Sequence, residues 1–543
     1  MTYKSCETYF SKHLTMALLF IVVATATVYS GSLRNGFVWD DHDIVEKYHF
    51  NSSLGNLPLL FEHTDSITGW AKYPYYRPLA RATYVIDRQL FDLNPWYYHA
   101  ENLLLHLANV LLLFLVARSL FREVMPSLLA ALLFAIHPGI SESVFAVFAR
   151  NSLLSFFFMM ATILTFQRGI VTNRYRWFLL SASLFFLGAL SKETALMVLP
   201  LIVGYCYTEK YPFKNMVLGI LPLLVALVVY WLLRNNAMAL ENIPPPSIAG
   251  ITSRIIQNIY IIPRYLLLVA WPAKLSAWHQ VPVNLRELAS FLVTGWIVLA
   301  AGIIALVRYG GKTMKFGLFW SVCLLVPVLG IWAIPSAPMA ERYLYGPFAG
   351  FSLIASGFVI VLMRKRLVTG SVIACILFAL LMVRTNARSS DWLNDITLFQ
   401  SATKVYPDSV NSHYNLGEAY EAGHNLTAAL SEWLIVTQLS PNDIAAHSKV
   451  GTYYFRVGRY EEALPHFART VAMGPEAYIG RTVSMQPDKF ALLNNFASTL
   501  DMLGRSEEAI QQYELALQEV PRENLSEISR LRGRIEILKG KIK

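Results

Sequence analysis

Runs of about twenty apolar residues, separated by short basic breaks, recur along most of this chain, and only a lipid bilayer accommodates such a pattern. They lie at 14–33, 99–121, 126–144, 151–168, 175–191, 194–209, 216–234, 289–308, 316–334, 345–363 and 368–386, which predicts about eleven spans. In hydrocarbon every backbone group must be bonded internally, so these spans are helices and the fold is all-α. Only 15% of the 543 residues are charged, against roughly 25% in a soluble domain. That excludes a soluble enzyme.

Charge divides the chain. From Asp391 onward the formal net charge is −4, which leaves +14 on residues 1–390. Those cations sit in loops between apolar spans, not on one groove-sized face, so no nucleic-acid partner is expected and membrane lipids are the anions they meet. With the N-terminus in the cytoplasm, the basic turns 118–125, 168–176, 209–215, 308–315 and 364–366 all fall inside, as positive-inside bias requires. The stretch 254–273, broken by Arg254, Pro263, Arg264 and Pro272, would invert that order if it crossed, and it reads as an interfacial or re-entrant helix. The loops 34–98 and 235–288 and everything after 387 then share the outer face. Four scattered cysteines (Cys6, Cys206, Cys323, Cys375) define no disulfide framework or metal site.

The C-terminal part repeats at 34 residues: Pro407, Pro441 and Pro475 keep that step, as do Gly417 with Gly451 and Ala429 with Ala463. After a 12-residue insertion, Pro487 and Pro521 resume it. This is the tetratricopeptide (TPR) signature, helical hairpins that stack into an α-solenoid. The repeats fall at about 408–441, 442–475 and 488–521, with a basic cap helix at 522–543. Such a surface binds a protein or peptide partner.

Candidate chemistry gathers at the outer ends of the spans. "NGFVWDDHD" supplies Asp40, Asp41 and Asp43 beside His42, adjacent carboxylates that have reason to exist if one takes a proton or holds a cation. "YYRPL" brings Arg77, and His99, Asn102 and His106 recur at helical spacing on the second span. Interhelical hydrogen bonding explains that stripe better than a metal, since three aligned residues do not specify four ligands. Later outer turns bring His137, Glu142 and Arg150, then Lys192 and Glu193, then Glu341, Arg342, Tyr343 and Tyr345. Carboxylates and phosphate-binding cations thus converge on one membrane face, where a lipid-linked phosphate would sit.

These motifs resemble the transmembrane and TPR repeat-containing O-mannosyltransferases, members of the GT-C superfamily. The pieces "FVWDD", "YRPL", "PxxYHxxNxxxH" (Pro95 to His106), "HPxxSExV", "RNSLLS", "SKE", "ERYLY" and "WLNDxxLF" keep their order over about 390 residues, and the repeats follow. Ile140 stands where the family has a second His in its HPxH pattern, and the short repeat array looks bacterial. The resemblance implies a GT-C-like membrane domain over 1–390, a TPR domain over 391–543, and an inverting transfer of a sugar from a polyprenyl-phosphate carrier to a Ser/Thr hydroxyl of a protein acceptor recruited by the repeats. It implies a first-loop aspartate as base, with Asp41 preferred and Asp40 supporting. Arg77, Arg150, Lys192 and Arg342 are the expected donor-phosphate binders, and His99, His137, Glu142, Glu193, Glu341 and Tyr345 support them. The carboxylates leave room for a divalent cation, Mg or Mn. The expected setting is a multi-pass inner membrane with periplasmic repeats, or an endoplasmic reticulum membrane with lumenal repeats. A polysaccharide polymerase or ligase using a lipid-linked glycan, and a non-enzymatic TPR assembly factor, are the rival readings.

Overall fold

The protein is represented by a computed structural model that describes residues 3–64, 75–239, 248–281, 289–330, 337–473, 489–521 and 524–542. Parts of both expected outer loops and the 12-residue insertion of the repeat region lie outside the described residues. The described chain is helical throughout and divides into two compact units, the first ending at Val405 and the second running from Tyr406. Helix Asp395–Val405, placed by sequence in the repeat domain, therefore groups with the membrane unit.

Among the described residues of the first unit eight helices are long and apolar enough to cross a membrane: Leu14–Arg34, Pro95–Phe121, Val147–Thr172, Phe213–Met238, Ala289–Tyr309, Lys312–Leu329, Glu341–Lys365 and Leu367–Trp392. The other three expected spans are shorter helices, Val124–Ile136, Tyr175–Ser191 and Val198–Glu209. Pro138 ends the first of these, and the polar pair Lys192–Glu193 separates the other two. At 1.5 Å per residue the 13-residue helix Val124–Ile136 is about 20 Å long, short of the roughly 30 Å hydrocarbon layer.

Ion pairs mark the two ends of this bundle. At one end Glu209 accepts Arg122 at 2.7 Å and Lys312 at 2.6 Å, and Arg364 pairs with Glu123 at 2.7 Å. At the other, Arg342 meets Glu142 and Arg388 meets Glu341. Between them the helices approach closely: a Cβ on Gly317 would lie 2.7 Å from the Gly350 carbonyl oxygen, so only glycine lets these two spans touch.

The helix Ile248–Ala270 does not run from end to end. Arg254 donates to the Leu329 and Pro338 carbonyls, Tyr265 to the Ala340 carbonyl, and the Val269 carbonyl meets His137 Nε2. All these partners lie at the Arg342 end, so the helix lies along that end of the bundle, as the interfacial reading expects.

In the second unit hairpins Val410–Ala422/Leu426–Leu439, Ile444–Arg456/Tyr460–Met473 and Lys489–Met502/Ser506–Glu519 stack under a final helix, Leu525–Ile542. The 34-residue step has a packing cause. Ala429 and Ala463 are fully buried, and a Cβ on Gly451 would lie 2.9 Å from the Phe467 ring. The last helix buries Leu531, Ile535 and Leu538 against the third hairpin, which closes the stack.

Candidate active site

The first helix ends in a tight turn, Ser30–Arg34, and the loop that follows carries the acidic motif. Asp41 is fully buried: its Oδ2 accepts the Val38 N–H at 3.2 Å and its Oδ1 the Phe148 N–H at 2.6 Å, which pins this loop to the turn Val147–Ala149. Burial pushes its carboxyl up to about 7 in spite of these bonds. The side chain preferred as base from the sequence thus has both oxygens engaged in holding the backbone.

Asp40 is different. It is partly exposed and makes no hydrogen bond or ion pair among the described residues. Burial pushes its carboxyl up to about 6; the Arg342 charge opposes that, while Asp43 and Glu142 add to it. A carboxylate free to accept a proton near neutral pH is what a general base requires.

The neighbouring backbone is strained to present it. Trp39 has φ +55°, a conformation costly for a bulky residue, of order 1–3 kcal/mol. Its N–H donates to Asp395 Oδ1 at 2.7 Å, and its ring packs edge-on against Phe148, Trp278 and Phe399. Asp395 Oδ2 holds His42 Nε2 at 2.7 Å while Glu46 holds Nδ1 at 2.6 Å. The bonds to Asp395 and then Glu46 outweigh burial and push the imidazole up to about 10, so it stays charged. Sequence reasoning gave Asp395 no role. Its only signal is its place in "WLNDxxLF", some 350 residues from the loop it holds.

The four cations expected at a phosphate separate into two kinds. Arg150 is fully buried. Its guanidinium pairs with Asp87 and, at 2.8 Å, with Glu101, and it donates to Asn102 Oδ1 and the Tyr98 carbonyl. With its donors engaged it is a structural clamp, not a phosphate ligand. Arg77 makes a two-pronged bond to Glu193 (3.0 and 2.6 Å) and stacks on Tyr75. Burial would raise the Glu193 carboxyl, but Arg77 holds it down at about 2. Arg342 is bonded to Glu142 through Nη1 at 2.5 Å and through its backbone N–H at 2.9 Å, and lies over the Trp39 and Phe148 rings.

Lys192 alone of the four has no carboxylate within ion-pair distance among the described residues. Its Nζ donates to Ser152 Oγ at 2.8 Å. Burial, aided by the Arg77 and Arg342 charges, lowers its ammonium to about 7. Lys192 lines a pocket with Ser152, Thr194, Arg342, Tyr343 and Tyr345. An anion entering it would meet a buried, under-neutralised cation and several hydroxyls.

In the polar stripe of the second span His106 bonds to other helices, while His99 and Asn102 bond to backbone carbonyls of the connecting turns. His99 Nε2 meets the Gly36 carbonyl, Asn102 donates to Ala146 O, and His106 lies between Tyr345 Oη (2.9 Å) and Ala135 O. Tyr345 also accepts from Asn109 at 3.0 Å. His137 closes its own turn, accepting the Gly139 N–H. Glu341 gathers Arg388 and His279, each at 3.0 Å, and the Ser276 N–H. Among the described residues no three His, Cys, Asp or Glu side chains gather closely enough to hold a metal ion.

Residues 78–233 match the family model described as dolichyl-phosphate-mannose-protein mannosyltransferase, and 396–444 and 442–518 match tetratricopeptide-repeat models. The chain is 28% identical over 569 residues to the human protein O-mannosyl-transferase TMTC3, covering 94% of this chain and 61% of that protein. It is 25% identical to the Drosophila melanogaster Tmtc3 protein (86% and 59%) and 24% identical to human TMTC4 (75% and 64%). The chain thus spans about three fifths of the length of the relatives it matches. Among solved structures it is similar to apo ArnT from Cupriavidus metallidurans (TM-score 0.41, 15% identity, 94% of this chain and 82% of that one). It is also similar to the oligosaccharyltransferase AglB from Archaeoglobus fulgidus, solved with an inhibitory peptide and a dolichol-phosphate (TM-score 0.40, 12% identity, 77% and 60%).

Proposed function

We propose, from the premise that this chain is a multi-pass membrane relative of the protein O-mannosyl-transferases, that it is an inverting glycosyltransferase. It moves a hexose from a polyprenyl-phosphate carrier to a Ser/Thr hydroxyl of a protein acceptor on the non-cytosolic face. The TPR repeats lie on that same face and recruit the acceptor.

The observation that carries this reading is the contrast between two groups that Arg342 influences alike. Asp40 is a carboxylate with no partner among the described residues, raised to about 6. Lys192 is a buried ammonium with only a hydroxyl partner, lowered to about 7. Asp40 takes the acceptor hydroxyl's proton as that oxygen attacks the anomeric carbon. The bond from that carbon to the phosphate oxygen breaks, and the polyprenyl phosphate leaves with its negative charge toward Lys192 and Arg342. Attack opposite the leaving phosphate inverts the anomeric centre. Asp41 and Asp395 hold the loop that presents Asp40, Glu142 orients Arg342, and Glu193 orients Arg77.

The test is transfer from labelled polyprenyl-phosphate sugars to candidate peptides by purified protein, comparing wild type with Asp40→Asn and Lys192→Gln. Loss of transfer in both, with donor binding weakened only in the lysine variant, supports these assignments. Full activity in Asp40→Asn eliminates the base. Accessibility labelling that finds Asp40 and residue 543 on opposite sides of the membrane refutes the shared face.

A further inference from the structure

The helix Ile248–Ala270 is apolar on two sides. Ile261, Tyr265 and Leu268 are buried against the bundle, while Ile255, Ile256, Ile259 and Leu267 are exposed. The adjoining span Ala289–Tyr309 exposes Val293, Ile297 and Val298. Lipid is the only medium in which both outward faces are at rest.

Between these helices lies a groove of about 370 Å3, lined by Tyr260, Arg264, Leu267, Trp271, Lys274 and Phe291. The two helices are fastened around it: Trp296 Nε1 donates to Ile259 O at 3.0 Å, and Tyr260 and Phe291 meet ring to ring. Its lining sets apolar and aromatic side chains beside two cations, Arg264 and Lys274. Arg264 donates to Lys274 O and Arg384 donates to Ala273 O, which draws three cations around one turn beside the 70% exposed Trp271. Among the described residues no carboxylate lies within ion-pair distance of Lys274 or Arg384. Cations at this end of the spans run against the charge bias of the rest of the chain, and an interfacial tryptophan beside them marks the headgroup level.

We propose that this groove is a binding site for an anionic phospholipid of the surrounding leaflet. One acyl chain lies along Tyr260, Leu267 and Phe291, and the phosphate rests among Arg264, Lys274 and Arg384. The site is separate from the Lys192 pocket and does not depend on the transfer reaction. The turn that carries Lys274, and whose carbonyls Arg264 and Arg384 hold, continues directly to Ser276 and His279, both bonded to Glu341 beside Arg342, so an occupied groove steadies one wall of the candidate active site.

The test is native mass spectrometry of the full chain released from nanodiscs of phosphatidylglycerol or phosphatidylcholine, with wild type, Lys274→Gln and Lys274→Arg. Lys274 is exposed and its side chain makes no bond among the described residues, so its replacement leaves the fold intact. Wild type is expected to retain phosphatidylglycerol in preference to phosphatidylcholine. Lys274→Gln should weaken that retention about fivefold, the worth of one cation at a lipid surface, and Lys274→Arg should restore it. Equal retention of the two lipids, or no change in Lys274→Gln, overturns the proposal. Displacement of phosphatidylglycerol by polyprenyl phosphate, one for one, would give the groove to the donor and also overturn it.

Discussion

Replacing Asp40 and Asp41 separately by asparagine should produce opposite defects, although the two are adjacent and both acidic. Asp40→Asn keeps the shape of a side chain without hydrogen-bond partners and removes the proton acceptor. General-base catalysis contributes typically about 10²–10⁴-fold, so turnover should fall by that factor. Its stability should not fall. In the folded state Asp40 is raised from 3.8 to about 6, so at neutral pH folding holds an ionised carboxylate where burial disfavours it. One pKa unit is about 1.4 kcal/mol, which sets a ceiling near 3 kcal/mol. Solvent screening at this partly exposed group reduces the expected gain to about 1 kcal/mol. Asp41→Asn also removes a carboxylate that burial disfavours, but it places an NH2 group against one of two backbone N–H donors, Val38 or Phe148, and so unties the loop that presents Asp40. One buried donor is left unpaired, at about 1–3 kcal/mol. Transfer assays on purified protein, paired with thermal-shift midpoints in nanodiscs, separate the two outcomes. A stable, inactive Asp41→Asn beside an active Asp40→Asn would show that the backbone bonds do not decide which carboxylate acts.

The pH profile should be narrow. Transfer requires ionised Asp40, so kcat/KM falls as pH drops below about 6, and it requires charged Lys192, so it falls again as pH rises past about 7. Lys192→Arg, charged throughout, should lose the alkaline limb and keep the acidic one; an unchanged bell would remove Lys192 from the mechanism. Arg150→Met should destabilise the fold by about 3–5 kcal/mol, because buried Asp87 loses its counter-charge; a folded variant with weakened donor binding would instead return Arg150 to the phosphate site. Asp395→Asn should lower His42 from about 10 toward its ordinary range, with Glu46 still holding it above that range, and loosen the Trp39 turn, moving a His42 ionisation into the alkaline side of the profile while donor KM stays constant. A drop in protein yield alone, with wild-type kinetics in what remains, would reduce Asp395 to a structural residue.

Periodicity made the architecture legible before any coordinates. Apolar runs of bilayer length can only become helices in lipid, and a 34-residue step of Pro, Gly and Ala can only satisfy its own packing as stacked hairpins. The polar stripe of His99, Asn102 and His106 was equally readable as hydrogen bonding to surrounding protein, since hydrogen-bonding groups inside a span need protein partners, although His99 and Asn102 bond to backbone carbonyls of connecting turns where His106 reaches other helices. Sequence also brought the charged motifs to one end of the bundle, through the parity of the spans. It did not rank them. Whether a carboxylate is a base or a brace, and whether a guanidinium is offered or already engaged, depends on partners far away in the chain: Phe148 for Asp41, Asp87 for Arg150, Asp395 for Trp39 and His42. Lys192 and Arg150 are both isolated cations in outer turns when read as letters. Only the packed helices give one of them carboxylate partners and leave the other with a hydroxyl, because charge in a buried site is set by neighbours and not by spacing along the chain.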